Sequence, residues 1–190
     1  MPRPKVILFD VNETLLDLTP VKESVSKALG GRPELAPLWF TTLLQYSLVA
    51  TVADHYLDFG EIGAACLLMV AKNHGVELSE DAATNSLAPI RSLPPHSDVI
   101  PTLGRLRDAN YRLFMLTNSP KAALAEQMTH AGLTDYFEAL LSVGDVAGAA
   151  WAGMKTAFIA RPGQQQFPLG PPIDITVPSL AELSGELERM

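Results

Sequence analysis

The chain has 190 residues, enough for one hydrophobic core with a small inserted unit and too few for two large domains. Hydrophobic residues at 47% and charged residues at 18% exclude disorder as the main state. The net charge of -7, from 14 Lys+Arg against 21 Asp+Glu without a basic run, argues against a nucleic-acid partner, and a single cysteine, Cys66, excludes an internal disulfide.

The first element is the apolar run from Val6 to Phe9, which ends at Asp10. It is too short for a signal peptide or a membrane span, so no membrane is expected and the cytoplasm is the expected location. Its pattern is that of a parallel strand buried on both faces, opening into a site at its carboxyl end. Residues 18 to 96 read as helical. Thr19 is the expected N-cap, with Pro20 at the first helical position, and further helices are expected over 34–54, 58–73 and 79–88, the last opening with Ser79. Cys66, in AACLLMV, reads as packing.

Helix and strand then alternate. A helix is expected over 98–109, a strand over 111–117, and a helix from Ser119-Pro120 to near Gly132. A strand follows over 138–143, a helix over 146–153 and a strand over 156–160. After a Pro/Gly-rich loop from Arg161 to Pro172, a last strand and helix follow, with Ser179 and Glu182 spaced as a capping box. The expected fold is α/β: a parallel sheet with helices on both faces and an inserted helical cap. Residues 1–16 and 97–190 form the core domain and 17–96 the cap. Ligands of such sheets bind beyond the carboxyl ends of the strands. Asp10, Thr117, Asn118, Ser119 and Asp145 should therefore gather at one edge, a set suited to a nucleophile, polar donors and a water-orienting acid, as in a hydrolase.

The segments FDVNETLLDL, LTNSP and GDVAGAAWAGM resemble the signatures of the haloacid dehalogenase (HAD) superfamily of hydrolases, whose fold is Rossmannoid. The cap segment LWFTTLLQYSLVATVADHYLDF is most similar to the L-2-haloacid dehalogenase group. The resemblance implies that Asp10 is a nucleophile forming an ester that water then cleaves, a role open to a carboxylate because it ionises without an activating base. It implies catalytic roles for Thr14, Thr117 and Asn118, and a water-orienting role for Asp145. Phe40, Phe59, Asn12 and Ser119 become the expected substrate contacts. Within this superfamily, phosphatases carry a second Asp two residues after the nucleophile as a general acid. Asn12 stands there and has no titratable proton to give, whereas a departing halide needs none. The implied reaction is hydrolysis of a small organohalide, with no cofactor and no metal. The alternatives are a Mg²⁺-dependent phosphatase, in which Asp10 and Asp145 hold the ion, and a shortened paralogue acting as a binding protein.

The chain also departs from the family pattern. Phe40, not Arg, follows Trp39, which leaves Arg91 or Arg161 as the candidate partner for a substrate carboxylate, although arginines are usually found at the surface. Between Val143 and Gly144 a strand-helix unit with a Lys-Pro element is missing, and Lys121 and Lys155 are the candidate replacements for its lysine. Closing the resulting gap in the sheet predicts that ALLSVGD pairs directly with KVILF, which would place Asp145 beside Asp10. The four histidines, His55, His74, His96 and His130, lack metal-ligand spacing, and Met115 and Met128 read as core. A homodimer through apolar Leu43, Leu44, Leu48, Val49 and Val52 is a further expectation.

Overall fold

In a computed structural model of the protein, the residues described are 6–53, 57–117, 121–142, 154–166 and 172–189. They form two compact units, one of Met1–Asp17 with Pro94–Met190 and the other of Leu18–Leu93.

The first unit holds the sheet strands. β1 (Val6–Phe9) lies parallel to β2 (Arg112–Thr117), with Phe9 opposite Met115. β2 in turn lies parallel to β3 (Ala139–Ser142), with Thr117 opposite Ser142. β4 (Ala157–Ile159) and β5 (Ile175–Val177) make a separate parallel pair. The expectation that ALLSVGD pairs with KVILF is therefore wrong: β3 sits on the far side of β2. Strands joined by a single helical crossover usually become neighbours, and reaching β1 would have taken the chain back across β2. Local contacts reinforce this choice. The Glu138 N–H donates to the Leu113 carbonyl at 2.9 Å, the Arg112 guanidinium forks onto the Glu138 carboxylate, and Phe137 meets Phe9 edge-on at 5.9 Å. Val6 is 42% exposed, so water can reach the backbone at the start of β1, which lowers the cost of an edge left without a strand partner among the described residues.

In the same unit, α5 (Val99–Asp108) and α7 (Leu180–Arg189) pack together, burying Val99, Leu103 and Leu106 with Leu180, Leu183 and Leu187. The Tyr111 hydroxyl donates to the Leu187 carbonyl at 3.3 Å. α6 (Lys121–Ala131) buries Leu124 and Met128, and Met115 is fully buried on β2, as expected for core methionines. Ser179 caps α7 by accepting from the Glu182 N–H, one half of the expected capping box, while the Glu182 carboxylate accepts from the Ser179 hydroxyl.

The second unit is helical: α1 (Thr19–Ala28), α2 (Leu35–Val52), α3 (Phe59–Asn73) and α4 (Glu80–Ser86), then a 3-10 turn at Ala88–Ser92. Thr19 already lies inside α1, whose cap position is Leu18 without a side-chain bond, because Pro20 in the first turn removes a donor that would otherwise need capping. Asp58 and Glu61 form a reciprocal capping box on α3, and Ser79 accepts from Ala82 N–H on α4. Trp39, 1% exposed, anchors α2 to α3 by donating its indole N–H to the Gly63 carbonyl at 2.9 Å. Cys66 is buried on α3. α2 is long and apolar enough, by length and composition alone, to cross a membrane. Within this unit its Leu35, Ala36, Trp39 and Leu43 are buried, while Leu48, Val49 and Val52 are exposed.

Candidate active site

The carboxyl end of β1 runs into a tight turn built from its own backbone. Leu15 and Leu16 N–H both donate to the Val11 carbonyl, at 2.9 and 3.0 Å, and Glu13 N–H donates to the Leu16 carbonyl at 2.9 Å. Glu13 adopts φ 64, the left-handed region that side chains with a β-carbon rarely enter. This conformation brings Thr14 back over the strand end, where its hydroxyl donates to Asp10 Oδ2 at 2.9 Å. Asp10, Asn12 and Thr14 thus share one turn. Thr117, buried, ends β2 two residues beyond the partner of Phe9, so it finishes at the same edge of the sheet.

Asp10 is open to solvent, yet the protein packed around its carboxyl thins its hydration. This desolvation pushes the carboxyl above its ordinary pKa. The hydrogen bonds from Thr14 and the Val11 N–H pull against it, and the Glu13 charge adds to the rise. No cation is among the described groups acting on it. A carboxylate that is accessible, poorly solvated and fixed by one hydroxyl can attack an electrophilic carbon.

Asn118, Ser119 and Asp145 lie outside the described residues, and the strand pairing that would have set Asp145 beside Asp10 is not formed. Phe40 and Phe59 belong to the helical unit, Phe40 half-buried and tilted against Trp39 at 6.1 Å, Phe59 half-buried as the first residue of α3. Lys155 precedes β4 and pairs with Asp174 at 3.3 Å, and only the backbone of Lys121, at the start of α6, is described. Among the described residues there is no cluster of His, Cys, Asp or Glu suited to a metal ion.

Arg161 corrects two expectations. It is neither a surface residue nor turned out toward a substrate carboxylate, because its side chain is only 11% exposed and its guanidinium donates through Nε (3.2 Å) and Nη2 (2.8 Å) to the Thr14 carbonyl. It also pairs with Asp98 at 3.2 Å. Gln164 donates to Glu13 Oε2 at 2.9 Å, and the His96 ring hydrogen-bonds to the Glu13 backbone. Sequence reading missed His96, Asp98 and Gln164 because their partners, Glu13, Arg161 and Leu180, lie 63 residues or more away in sequence. The one local signal is Arg161-Pro162-Gly163-Gln164, a turn sequence inside the Pro/Gly-rich loop.

Over residues 4–165 the chain matches the family described as haloacid dehalogenase-like hydrolase. A curated relative, the (S)-2-haloacid dehalogenase of Pseudomonas sp. strain YL, is 29% identical over 143 residues, 75% of this chain and 62% of that protein. The (S)-2-haloacid dehalogenase of Xanthobacter autotrophicus is also 29% identical, over 73% of this chain and 54% of that protein. The chain thus spans between about half and two thirds of the length of these two relatives. Among solved structures, the L-2-haloacid dehalogenase from Xanthobacter autotrophicus superimposes with TM-score 0.87 and 22% identity over 98% of this chain and 99% of that one. The L-2-haloacid dehalogenase RSc1362 gives TM-score 0.88 and 20% identity over 99% and 100%. These likenesses establish the α/β fold.

Proposed function

The chain belongs to the haloacid dehalogenase-like hydrolases, and on that footing we propose that it splits the carbon–halogen bond of a small organohalide through an ester on Asp10. The observation that carries this reading is the Asp10–Thr14 pair: an accessible carboxylate, held at 2.9 Å by a hydroxyl, on a turn whose residue 12 is an amide.

In the proposed reaction an Asp10 oxygen attacks the carbon bearing the halogen. The new C–O bond forms as the halide leaves with the bonding electron pair. Asn12 offers no acid, and none is needed, since a halide is stable unprotonated. Water then adds to the Asp10 carboxyl carbon, the alcohol departs with the original Asp10 oxygen, and the carboxylate is restored with an oxygen from water. One water and one organohalide give an alcohol, a halide ion and a proton. No cofactor takes part.

Thr14 fixes the attacking carboxylate, and Thr117 ends at the same strand edge. Family resemblance supports a halide contact for Asn118, a place in the halide pocket for Phe59 and a water-orienting role for Asp145, while Asn12, Ser119 and Phe40, the last standing where the family has Arg, are read as further substrate contacts. The helical unit Leu18–Leu93 is read as the cap. A soluble, cytoplasmic enzyme acting on a small molecule is the accompanying reading. Exposed Leu48, Val49 and Val52 on α2 favour a homodimer, which a strict monomer by light scattering at high concentration would exclude.

The test is halide release from a panel of small 2-halo acids, haloacetates and neutral haloalkanes, with single turnover in ¹⁸O-labelled water. Label in the Asp10 carboxyl, with unlabelled oxygen in the alcohol, is the expected result. Release of phosphate from phosphomonoesters, dependent on Mg²⁺ and without any halide release, would overturn it.

A further inference from the structure

We propose that the turn Arg161–Gln164, which follows β4, is a positioning clamp that holds the left-handed backbone of Glu13 and so keeps the Thr14 hydroxyl on the Asp10 carboxylate. It rests on Asp10 being the nucleophile, as read above.

Residues 161–164 form a turn set by their own sequence. Gln164 N–H donates to the Arg161 carbonyl at 2.9 Å, Pro162 fills the second position, and Gly163 has φ 85. This is the pattern of a type II turn, which asks for Pro and then Gly at those two places. Its two ends point at the same target. Arg161 places two donors on the Thr14 carbonyl, and Gln164 holds the Glu13 carboxylate.

The target needs holding. A residue with a β-carbon in the left-handed region persists only where its surroundings over-determine it, and no glycine relieves position 13. The turn's internal bonds involve residues 11, 13, 15 and 16, and the Thr14 carbonyl is engaged from outside. The anchorage of Arg161 is itself firm: Asp98, which takes its charge, also accepts the Leu180 N–H at 2.7 Å, fixing the guanidinium to the start of α7. A largely buried guanidinium bound to one carboxylate and one carbonyl is costly to desolvate, so this pairing is specific to its geometry. Lysine at 161 could keep the charge beside Asp98 but would lose the two-pronged contact with Thr14.

A merely structural role for Arg161 would change stability alone. A positioning role moves the titration of Asp10, because the Thr14 bond favours the ionised carboxyl. The experiment follows the ¹³C carboxyl shift of Asp10 against pH in the full chain, in wild type and in Thr14→Val, Arg161→Lys, Gln164→Ala, Glu13→Gly and Arg161→Lys with Glu13→Gly. Thr14→Val should raise the Asp10 midpoint by about half to one pH unit. Arg161→Lys should move it the same way by at least half as much, and Gln164→Ala by a smaller step. Glu13→Gly removes a charge that raises the Asp10 midpoint in any background, so it should lower the midpoint more when added to Arg161→Lys than when made alone in the wild-type chain, because only the clamp-deficient chain also gains from a residue that adopts the left-handed conformation without strain. An Asp10 titration that is unchanged in Gln164→Ala and in Arg161→Lys, or that does not move in Thr14→Val, overturns the proposal. If Arg161→Lys does not fold, Gln164→Ala decides alone. Failure of wild type to release halide would count against the dehalogenase reading, while the titrations would still decide the clamp.

Discussion

The Thr14 hydroxyl donates to the Asp10 carboxylate at 2.9 Å from four residues along the chain, across a turn that Glu13 closes in the left-handed region. The reactive form of Asp10 is the anion, and its pKa is raised above the ordinary carboxylate value because the protein packed around the carboxyl desolvates it. Activity should therefore rise with pH through that raised value and level off above it. Removing the hydroxyl in Thr14→Val takes away a bond that favours the anion, so the acid limb should move to higher pH. A bond of this kind is worth about 0.5–1.5 kcal/mol, so the plateau rate should fall by roughly two- to tenfold, and Thr14→Ser should retain most of it. A pH–rate profile on a substrate that releases halide reads both effects.

Asp10 should also cost stability. Its folded pKa lies above its unfolded value, so the native state is favoured by the protonated form. Its contribution is most favourable below the unfolded value and is lost as pH rises through the folded one. Asp10→Asn removes the ionisation, keeps an oxygen for the Thr14 hydroxyl and abolishes the nucleophile. The variant should melt at a higher temperature than wild type near neutral pH, with the difference vanishing at about pH 3, and should release no halide. Thermal unfolding at the two pH values checks this; a variant that melts lower at neutral pH would show that the charge is stabilising.

Much of this architecture is legible in local sequence because local physics decides it. The run VILF before Asp10, the cap Ser79 with acidic residues behind it, and the pair Ser179 and Glu182 each carry their instruction within a few residues, and each element forms where expected. The place of β3 was not legible in the same way. Its position follows crossover geometry and the fork of Arg112 on Glu138, a contact across 26 residues, and not the filling of a gap beside β1. Arg161 was misread for a related reason. Its partners Thr14 and Asp98 lie 147 and 63 residues away, and only the fold makes an arginine at a loop start a buried one.

In the helical unit, Trp39 and Gly63 depend on each other. A methyl group on Gly63 would come within 3.0 Å of the Leu87 side chain and 3.8 Å of the Trp39 ring. Gly63→Ala should destabilise by about 0–2 kcal/mol, the overpacking against Leu87 and Trp39 being partly offset by the roughly 1 kcal/mol that alanine gains over glycine inside a helix. Trp39→Phe should also destabilise, by about 1–3 kcal/mol, because it leaves the Gly63 carbonyl without its indole donor. Since the two residues are in contact, the double variant should fall short of the sum. Urea unfolding of the three variants supplies the comparison, and strict additivity would show that the two sites do not sense each other.

His96 should make the protein sensitive to mild acid. Burial lowers its pKa, and the neighbouring Arg161 charge lowers it further, against the pull of Asp17, Asp98 and the Glu13 backbone. A depressed folded pKa means that the unfolded chain takes up the proton more readily, so stability is present above about pH 6.5 and declines as pH falls. His96→Gln should flatten the dependence of melting temperature on pH between about 6.5 and 5. A slope as steep as that of wild type would place the acid sensitivity elsewhere.

Asp98 carries the opposite case for a carboxylate. Burial is the largest single influence and pushes its pKa up, but the Leu180 N–H, the hydrogen bond from Arg161 and the Arg161 charge together bring it below the ordinary value. Its stabilising contribution is therefore complete above the unfolded pKa and is lost as pH falls through the folded one, below about pH 4. The side chains of the pair are only 11% and 17% exposed, so replacing Asp98 leaves a guanidinium with little water to turn to. Asp98→Asn can still accept from Leu180 N–H, so the helix start survives and the loss falls on the ion pair. Destabilisation by about 2–4 kcal/mol at neutral pH is expected, shrinking toward zero in strong acid as the wild-type carboxylate is protonated. Urea unfolding of both proteins at about pH 7 and pH 3 tests this, and an Asp98→Asn variant within about 0.5 kcal/mol of wild type at neutral pH would show that Arg161 is not held through its charge.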